Sequence, residues 1–192
     1  SIAFDKTGTL SEGIFQLLEL RVIGKRSRRE VLQYLALMEA PATHPLSDAI
    51  VTGAANEQVS IPKHLELTNH TLLPGEGITA VVNRKRVHVG NKKLFQRLGL
   101  YNNLPKEHAV LVDEWANAGG TTGFISIEEE GIIGSYCVAD KVRAESKQVL
   151  QDLKNMNIEI IMLTGDLHAT ALGVGYEIGI EEDFIKSELL PE

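Results

Sequence analysis

The opening stretch, Ser1-Ile2-Ala3-Phe4-Asp5-Lys6-Thr7-Gly8-Thr9-Leu10, constrains the fold of this chain more than any other. A short apolar run stops at an aspartate and gives way to hydroxyl-bearing residues around a glycine. Strands of α/β folds end this way where the carboxyl edge of a parallel sheet presents a polar group to a ligand. A second stretch of the same kind lies far downstream, an apolar β-run over 158–163 followed by Thr164-Gly165-Asp166 and a helical pattern over 169–178. Loops at the carboxyl ends of neighbouring parallel strands meet, so Asp5 and Thr164 are expected to face one pocket.

A carboxylate in such a loop can attack phosphorus and form an aspartyl phosphate. Nearby hydroxyls and backbone N–H groups would hold the phosphoryl oxygens as charge develops. Each loop taken alone also admits a plainer reading, in which Asp5 caps a turn and Thr164 caps a helix.

Between these two stretches the texture differs. Ser27 and Glu30 form a capping-box pattern before Val31, Leu32, Leu35 and Met38, which predicts a helix over 28–39. Pro41 ends it, and Pro45 opens a second helix with His44 at its cap. Alternating residues on both sides of Asn83-Arg84-Lys85 predict a β-hairpin, and a second hairpin turns at Glu130-Gly131. A short helix is expected in Lys92–Leu100, and a longer one over 105–118 with Leu111, Trp115 and Ala118 on one face and Gly119 as its stop. The economical reading is an α/β domain split in sequence, 1–13 and 132–192, with an α+β domain containing antiparallel strands inserted at 14–131.

Composition sets limits on partners. Twenty-six acidic against 19 basic residues, a formal net charge of -7, argue against nonspecific nucleic-acid binding. The basic cluster Lys25-Arg26 with Arg28-Arg29 and the acid run Glu128-Glu129-Glu130 both read as solvated surface. Cys137, the single cysteine, sits in an apolar context and reads as an inert core thiol. The histidines at 64, 70, 88, 108 and 168 show no paired metal-ligand spacing and read as surface or packing residues. No stretch approaches the ~20 apolar residues of a membrane span. A soluble, monomeric piece of a longer protein is expected.

The two loops together carry a resemblance. Asp5-Lys6-Thr7-Gly8-Thr9-Leu10 resembles the phosphorylation motif of P-type ATPases, and Leu163-Thr164-Gly165-Asp166 their second phosphate-contacting motif, with Thr170-Ala171 at matching spacing. Asp140, in Val138-Ala139-Asp140-Lys141-Val142-Arg143, resembles the hinge by which the inserted domain rejoins the phosphorylation domain. Glu39, the pair His44-Pro45, Gly75 and Gly77 in Pro74-Gly75-Glu76-Gly77, and Gly90-Asn91 resemble the heavy-metal-transporting (CPx-type) branch.

The resemblance implies a haloacid-dehalogenase-like, Rossmann-like phosphorylation domain carrying an inserted nucleotide-binding domain. It implies Asp5 as nucleophile toward the γ-phosphate of ATP, Thr7 and Thr164 on the phosphoryl oxygens, Lys6 as nearby positive charge and Asp166 as an orienting group. Glu39, His44, Gly75, Gly77, Gly90 and Asn91 would bind the nucleotide, and Asp5 and Thr7 would hold Mg²⁺ with a further aspartate. The partners implied are the membrane and actuator domains of one polypeptide, with this segment facing the cytosol, or the matrix or stroma of an organelle. The pattern departs from the family where a lysine after Pro191-Glu192 and a later Gly-Asp-Gly-x-Asn-Asp loop are expected, so weak or absent self-phosphorylation is anticipated. Ser11 stands where threonine is commoner. The alternatives are a phosphatase of the same fold with a cap domain, and a catalytically silent nucleotide-binding module.

Overall fold

A computed structural model of the protein describes residues 1–165 and 168–189. The chain divides into two compact units. One comprises Ser1–Phe15, Asp113–Gly120 and Ala139–Glu192; the other comprises Gln16–Val112 and Thr121–Val138. The boundaries expected from sequence, 13/14 and 131/132, lie near these, but 113–120 belongs with the first unit. In that unit the backbone of Asn117 and Ala118 lies so close to Gly173 that a Cβ there would meet it at 2.5 Å.

In the first unit, β1 (Ile2–Asp5), β8 (Ile160–Leu163) and β9 (Ile185–Lys186) form a parallel sheet in the order β1-β8-β9. Helices α5 (Ser146–Asn155) and α6 (His168–Ile178) belong to this unit. Leu10, Leu150, Ile160, Met162, Ala171, Val174, Ile178, Ile180 and Ile185 form its core. Strand β8 begins two residues later than the sequence suggests, because Asn157 takes a positive φ of 58° and Ile158 still closes the end of α5.

The second unit is built on a six-stranded sheet in the order β2-β7-β6-β5-β4-β3. These strands are β2 (Ser11–Val22), β3 (Leu67–Leu73), β4 (Gly77–Val82), β5 (Lys85–Gly90), β6 (Thr121–Ile127) and β7 (Gly131–Val142). The run β3 to β7 pairs antiparallel throughout. Helices α1 (Arg28–Glu39) and α2 (Pro45–Asn56) share its main core, which includes Leu32, Leu35, Met38, Ile50, Val87, Val89, Ile125 and Val138.

Local signals explain most of these elements. The Ser27 side chain accepts from Glu30 N while the Glu30 carboxylate accepts from Ser27 N, completing the capping box. His44 caps α2 through Nδ1, which accepts from Leu46 N at 3.2 Å. Asn83 and Arg84 turn β4 into β5 with φ of 47° and 67°, the left-handed pair that a two-residue hairpin needs.

Helices α3 (Lys92–Arg97) and α4 (Lys106–Asn117) fall where expected. The buried face of α4 is set by Val112, however, and Ala118 is exposed, contrary to the face drawn through Leu111, Trp115 and Ala118. Strand β2 had no counterpart in the sequence reading. The charged clusters lie at the surface as expected, and they pair there: Arg26 clasps Glu130 with two 2.7 Å bonds and Lys85 meets Glu129 at 3.1 Å.

Candidate functional site

Strand β1 ends at Asp5, and its parallel register places Asp5 opposite Leu163, the last residue of β8. Two loops that leave the sheet at the same edge therefore begin side by side, one with Asp5-Lys6-Thr7 and the other with Thr164-Gly165. Asp5 and Thr7 are exposed; Lys6 and Thr164 are buried. Thr164 is fixed through its backbone, donating from N to Lys186 O at 3.0 Å and accepting at O from Leu189 N at 3.2 Å. Asp166 lies outside the described residues.

The loop after Asp5 is a type II turn. Thr7 takes φ -75°, ψ 121° and Gly8 takes φ 78°, ψ -8°, a pair that demands glycine at the second position. Beyond the turn, Ser11 N donates to Lys6 O and closes the wider loop. Thr7 and Thr9 are left at the surface, hydroxyls beside the carboxylate. The glycine in the motif is thus a conformational requirement of the loop that follows Asp5.

A belt from residues 140–146 holds this loop, and only its first member was singled out from sequence. Asp140 Oδ1 accepts from Gly13 N at 2.8 Å, and its other oxygen accepts from the buried Ser11 hydroxyl. Arg143 donates from Nε to Ser11 O at 3.0 Å and from Nη2 to Gly8 O at 3.1 Å. Ser146 Oγ donates to Leu10 O at 2.8 Å. A groove of about 390 Å³ opens against the loop, lined by Phe4, Gly8, Leu10, Arg143, Ser146 and Val149 among others. Arg143 and Ser146 carry no motif signal; only the carbonyls they face identify them.

The nucleotide-binding candidates fall into two groups within the second unit. Gly77 and Gly90 pair directly across β4 and β5. A Cβ on Gly77 would stand 2.1 Å from Val89 O, and one on Gly90 would stand 2.2 Å from Glu76 O. Gly77 also has φ 150°. Both glycines are therefore required by strand packing. Asn91 caps α3, accepting from Leu94 N at 3.2 Å, and donates from Nδ2 to Gly75 O at 2.9 Å, pinning the turn between β3 and β4. Gly75 has φ 70° and open space where a Cβ would project.

The second group is Glu39 with His44. Glu39 ends α1 and is 3% exposed. Burial raises its carboxyl above the usual carboxylate range; a hydroxyl bond from Ser47 at 2.6 Å and nearby His70 and His44 pull the other way. His44 is exposed at the start of α2. Ser47 was not anticipated. Strand β3 joins the groups, since it carries His70 near Glu39 and runs into the turn at Gly75. Among the described residues no three His, Cys, Asp or Glu side chains converge as a metal site. An exposed carboxylate with neighbouring oxygen donors suits Mg²⁺, which takes one or two carboxylates and completes its shell with water and phosphate.

A parallel α/β unit with an aspartate at a strand end beside a Thr-Gly loop, interrupted in sequence by an antiparallel-sheet unit, defines a haloacid-dehalogenase-like fold. The chain belongs to the haloacid dehalogenase-like hydrolase family, whose profile matches residues 1–190. Along its whole length it is similar to metal-transporting P-type ATPases. It is 35% identical over 194 residues to a probable cadmium-transporting ATPase of Alkalihalophilus pseudofirmus, covering 100% of this chain and 26% of that protein. It is 32% identical over 192 residues to a cadmium/zinc-transporting ATPase of Arabidopsis thaliana, covering 100% of this chain and 19% of the relative.

Among solved structures, a zinc-transporting PIB-type ATPase in an E2.Pi state superposes with a TM-score of 0.81 at 30% identity, over 98% of this chain and 29% of that one. A catalytic domain of the CPx-ATPase CopB-B superposes with a TM-score of 0.64 at 25% identity, over 98% and 62%. The chain thus spans about a fifth to a quarter of the length of the two transporting ATPases it matches in sequence. No helix among the described residues is long and apolar enough to cross a membrane.

Proposed function

We propose that this chain is the ATP-binding and phosphorylation segment of a heavy-metal-transporting P-type ATPase. The reading rests above all on the parallel register that sets Asp5 opposite Leu163 and beside Thr164-Gly165. Asp5 is the nucleophile: a carboxylate oxygen attacks the γ-phosphorus of ATP, the bond to the β–γ bridging oxygen breaks, and ADP leaves. Thr7, in the turn, and Thr164, at the end of β8, hold the phosphoryl oxygens, and Lys6 adds positive charge. Asp166 orients the same site. Mg²⁺, bound by the nucleotide together with Asp5 and Thr7, supplies charge neutralisation at the phosphates. The belt of Asp140, Arg143 and Ser146 contributes by fixing the loop, since phosphoryl transfer depends on positioning more than on covalent chemistry by the protein.

The second unit takes the adenine nucleotide, with Glu39, His44 and the Gly75 turn as its contacts and Gly77, Gly90 and Asn91 as the frame that shapes that turn. In the full pump the segment works with membrane and actuator domains of the same polypeptide and faces the cytosol. Relatives of similar identity are named for different metals, cadmium in one and cadmium/zinc in another, which supports a segment shared by pumps that carry different ions.

The test is labelling with γ-labelled Mg-ATP alongside an NMR titration with the nucleotide. Acid-stable, hydroxylamine-labile label that is lost in Asp5→Asn, with shifts at Leu46, Gly75 and Asn91 amides, supports the proposal. Label persisting in Asp5→Asn overturns the nucleophile. Nucleotide-independent hydrolysis of a simple phosphomonoester, with no shifts in the second unit, would favour a phosphatase with a cap.

A further inference from the structure

Three side chains of the first unit meet at the start of α6, outside the loop that follows Asp5. His168 is the first residue of that helix. Its Nδ1 lies 3.0 Å from the Ser187 hydroxyl, and its Nε2 lies 3.6 Å from Glu182 Oε1. The other Glu182 oxygen accepts from the Tyr176 hydroxyl at 3.5 Å, which ties the carboxylate to a point further along the same helix. The topology explains the meeting. Strand β8 leads to α6 from the carboxyl edge of the sheet, and β9 ends at the same edge, with Lys186 opposite Leu163. Because β9 is only two residues long, Glu182 before it and Ser187 after it both fall within reach of one imidazole.

The backbone around the hydroxyl is fixed. Thr164 N donates to Lys186 O and Leu189 N donates to Thr164 O, on either side of Ser187, and between them Glu188 turns the chain with φ 57°. Strand β8 stands between β9 and β1, so this group lies about 10 Å, two strand spacings, from the strand that ends in Asp5. The order hydroxyl, imidazole, carboxylate is that of a nucleophile, its general base and the group that orients the base. A carboxylate only accepts, so Glu182 favours the ring hydrogen on Nε2 and leaves Nδ1 to accept from the Ser187 hydroxyl. Once Nδ1 has taken the hydroxyl proton, the same carboxylate stabilises the imidazolium. The His168 and Glu182 side chains are 48% and 58% exposed and Ser187 is half-buried, so a small molecule reaches the hydroxyl from solvent.

We propose that Ser187 is a covalent acceptor site for activated acyl groups, with His168 as its general base and Glu182 as the positioning residue of that base. Ser187 Oγ attacks the carbonyl carbon of an activated ester. The new Oγ–C bond replaces the bond to the alcohol oxygen, which leaves with its electron pair. The hydroxyl proton passes to His168 Nδ1 and from there to solvent, and the product is an O-acyl serine. An open site of this kind suits leaving groups that depart unaided, such as phenolates; amides need a preorganised oxyanion site.

The test treats the protein with p-nitrophenyl acetate, follows p-nitrophenolate release and locates the acetyl group by peptide mass mapping. Acetylation of Ser187 well ahead of Ser60, an exposed serine of the second unit, is expected. Ser187→Ala should lose that label, and His168→Gln should slow its formation about a hundredfold, the lower end of what a general base contributes. Glu182→Ala should slow it less. Nitrogen NMR of the His168 ring should then show the hydrogen shared between Nδ1 and Nε2 rather than held at Nε2, and an unchanged tautomer overturns the role of Glu182. Equal acetylation of Ser187 and Ser60 in the wild type overturns the proposal without recourse to any variant. Nitrophenolate release that survives Ser187→Ala but not His168→Gln also overturns it, because the imidazole is then the nucleophile.

Discussion

Gly77 and Gly75 flank one residue, and the structure separates their roles sharply enough to predict different outcomes for the same substitution. In Gly77→Ala the new Cβ meets the Val89 carbonyl at 2.1 Å and the Gly90 Cα at 2.5 Å, both backbone atoms that cannot swing aside. Relieving such an overlap costs about 1–3 kcal/mol, and holding alanine at the φ of 150° adds about 1–3 kcal/mol. A loss of about 3–4 kcal/mol follows, or roughly 10 °C in midpoint for a chain of this length. In Gly75→Ala the Cβ enters open space and only the left-handed φ of 70° is charged, about 1 kcal/mol. Thermal unfolding by far-UV circular dichroism measures both, and hydrogen exchange at Val87 and Val89 localises the damage to β5. Equal losses in the two variants, or a Gly77→Ala protein as stable as wild type, would refute the packing argument. The consequence reaches the binding experiments: lost nucleotide affinity in a Gly77 variant reports a displaced strand, whereas in Gly75→Ala it reports the turn itself.

Four further outcomes follow from the same geometry. The Glu39 carboxyl, raised by burial, contributes stability that is complete below its unfolded-state value and is lost as pH rises through its folded value. Glu39→Gln should therefore be unchanged or more stable, by up to about 1 kcal/mol, at pH 7, with the gain vanishing in acid, while nucleotide binding weakens; a less stable variant at pH 7 contradicts this. His44→Asn should retain the cap of α2 and wild-type stability yet bind nucleotide less tightly, whereas His44→Ala should also lose about 1 kcal/mol; calorimetry on both distinguishes cap from contact. Arg143→Ala removes two donors to the loop after Asp5 and should cost about 1–2 kcal/mol and slow the proposed labelling of Asp5, seen by urea unfolding and quench assays. Cys137, 4% exposed and with its thiol pushed up to about 11 by burial, should resist a thiol reagent until the protein is unfolded.

Elements whose ends are written in side chains were legible in the sequence. The limits of α1 follow from Ser27 and Glu30, the start of α2 from His44-Pro45, and the first hairpin from Asn83-Arg84. The adjacency of Asp5 and Thr164 was legible because two apolar runs each ended in a polar, glycine-containing loop, and parallel pairing brings such ends together. Strand β2 was not. Its residues, with Ile14, Phe15 and Leu18 exposed, show no steady alternation, and pairing with β7 decides the matter rather than propensity. His70 reads from sequence only as a surface or packing residue for a related reason, since a bulge breaks the period by which its face would be inferred. The clasp of Arg26 on Glu130 joins residues 104 positions apart, which no local pattern reveals. Arg143 and Ser146 act on backbone carbonyls, groups that every residue has and that the sequence therefore does not mark.

The pairing of Ile2 with Ile160 also imposes an order in time. Among the described residues β1 has no other sheet neighbour than β8, so a nascent chain that has just emitted Asp5 must wait for 158 more residues, as far as its partner Leu163, before that strand's pairing is complete. At about 5–20 residues per second, translation spends roughly 8–30 seconds on that interval. Meanwhile the residues in between emerge, and nearly all of the six-stranded sheet is available to form. The Asp5 carboxylate thus acquires its setting only after the ribosome has delivered the module proposed to hold the phosphate donor.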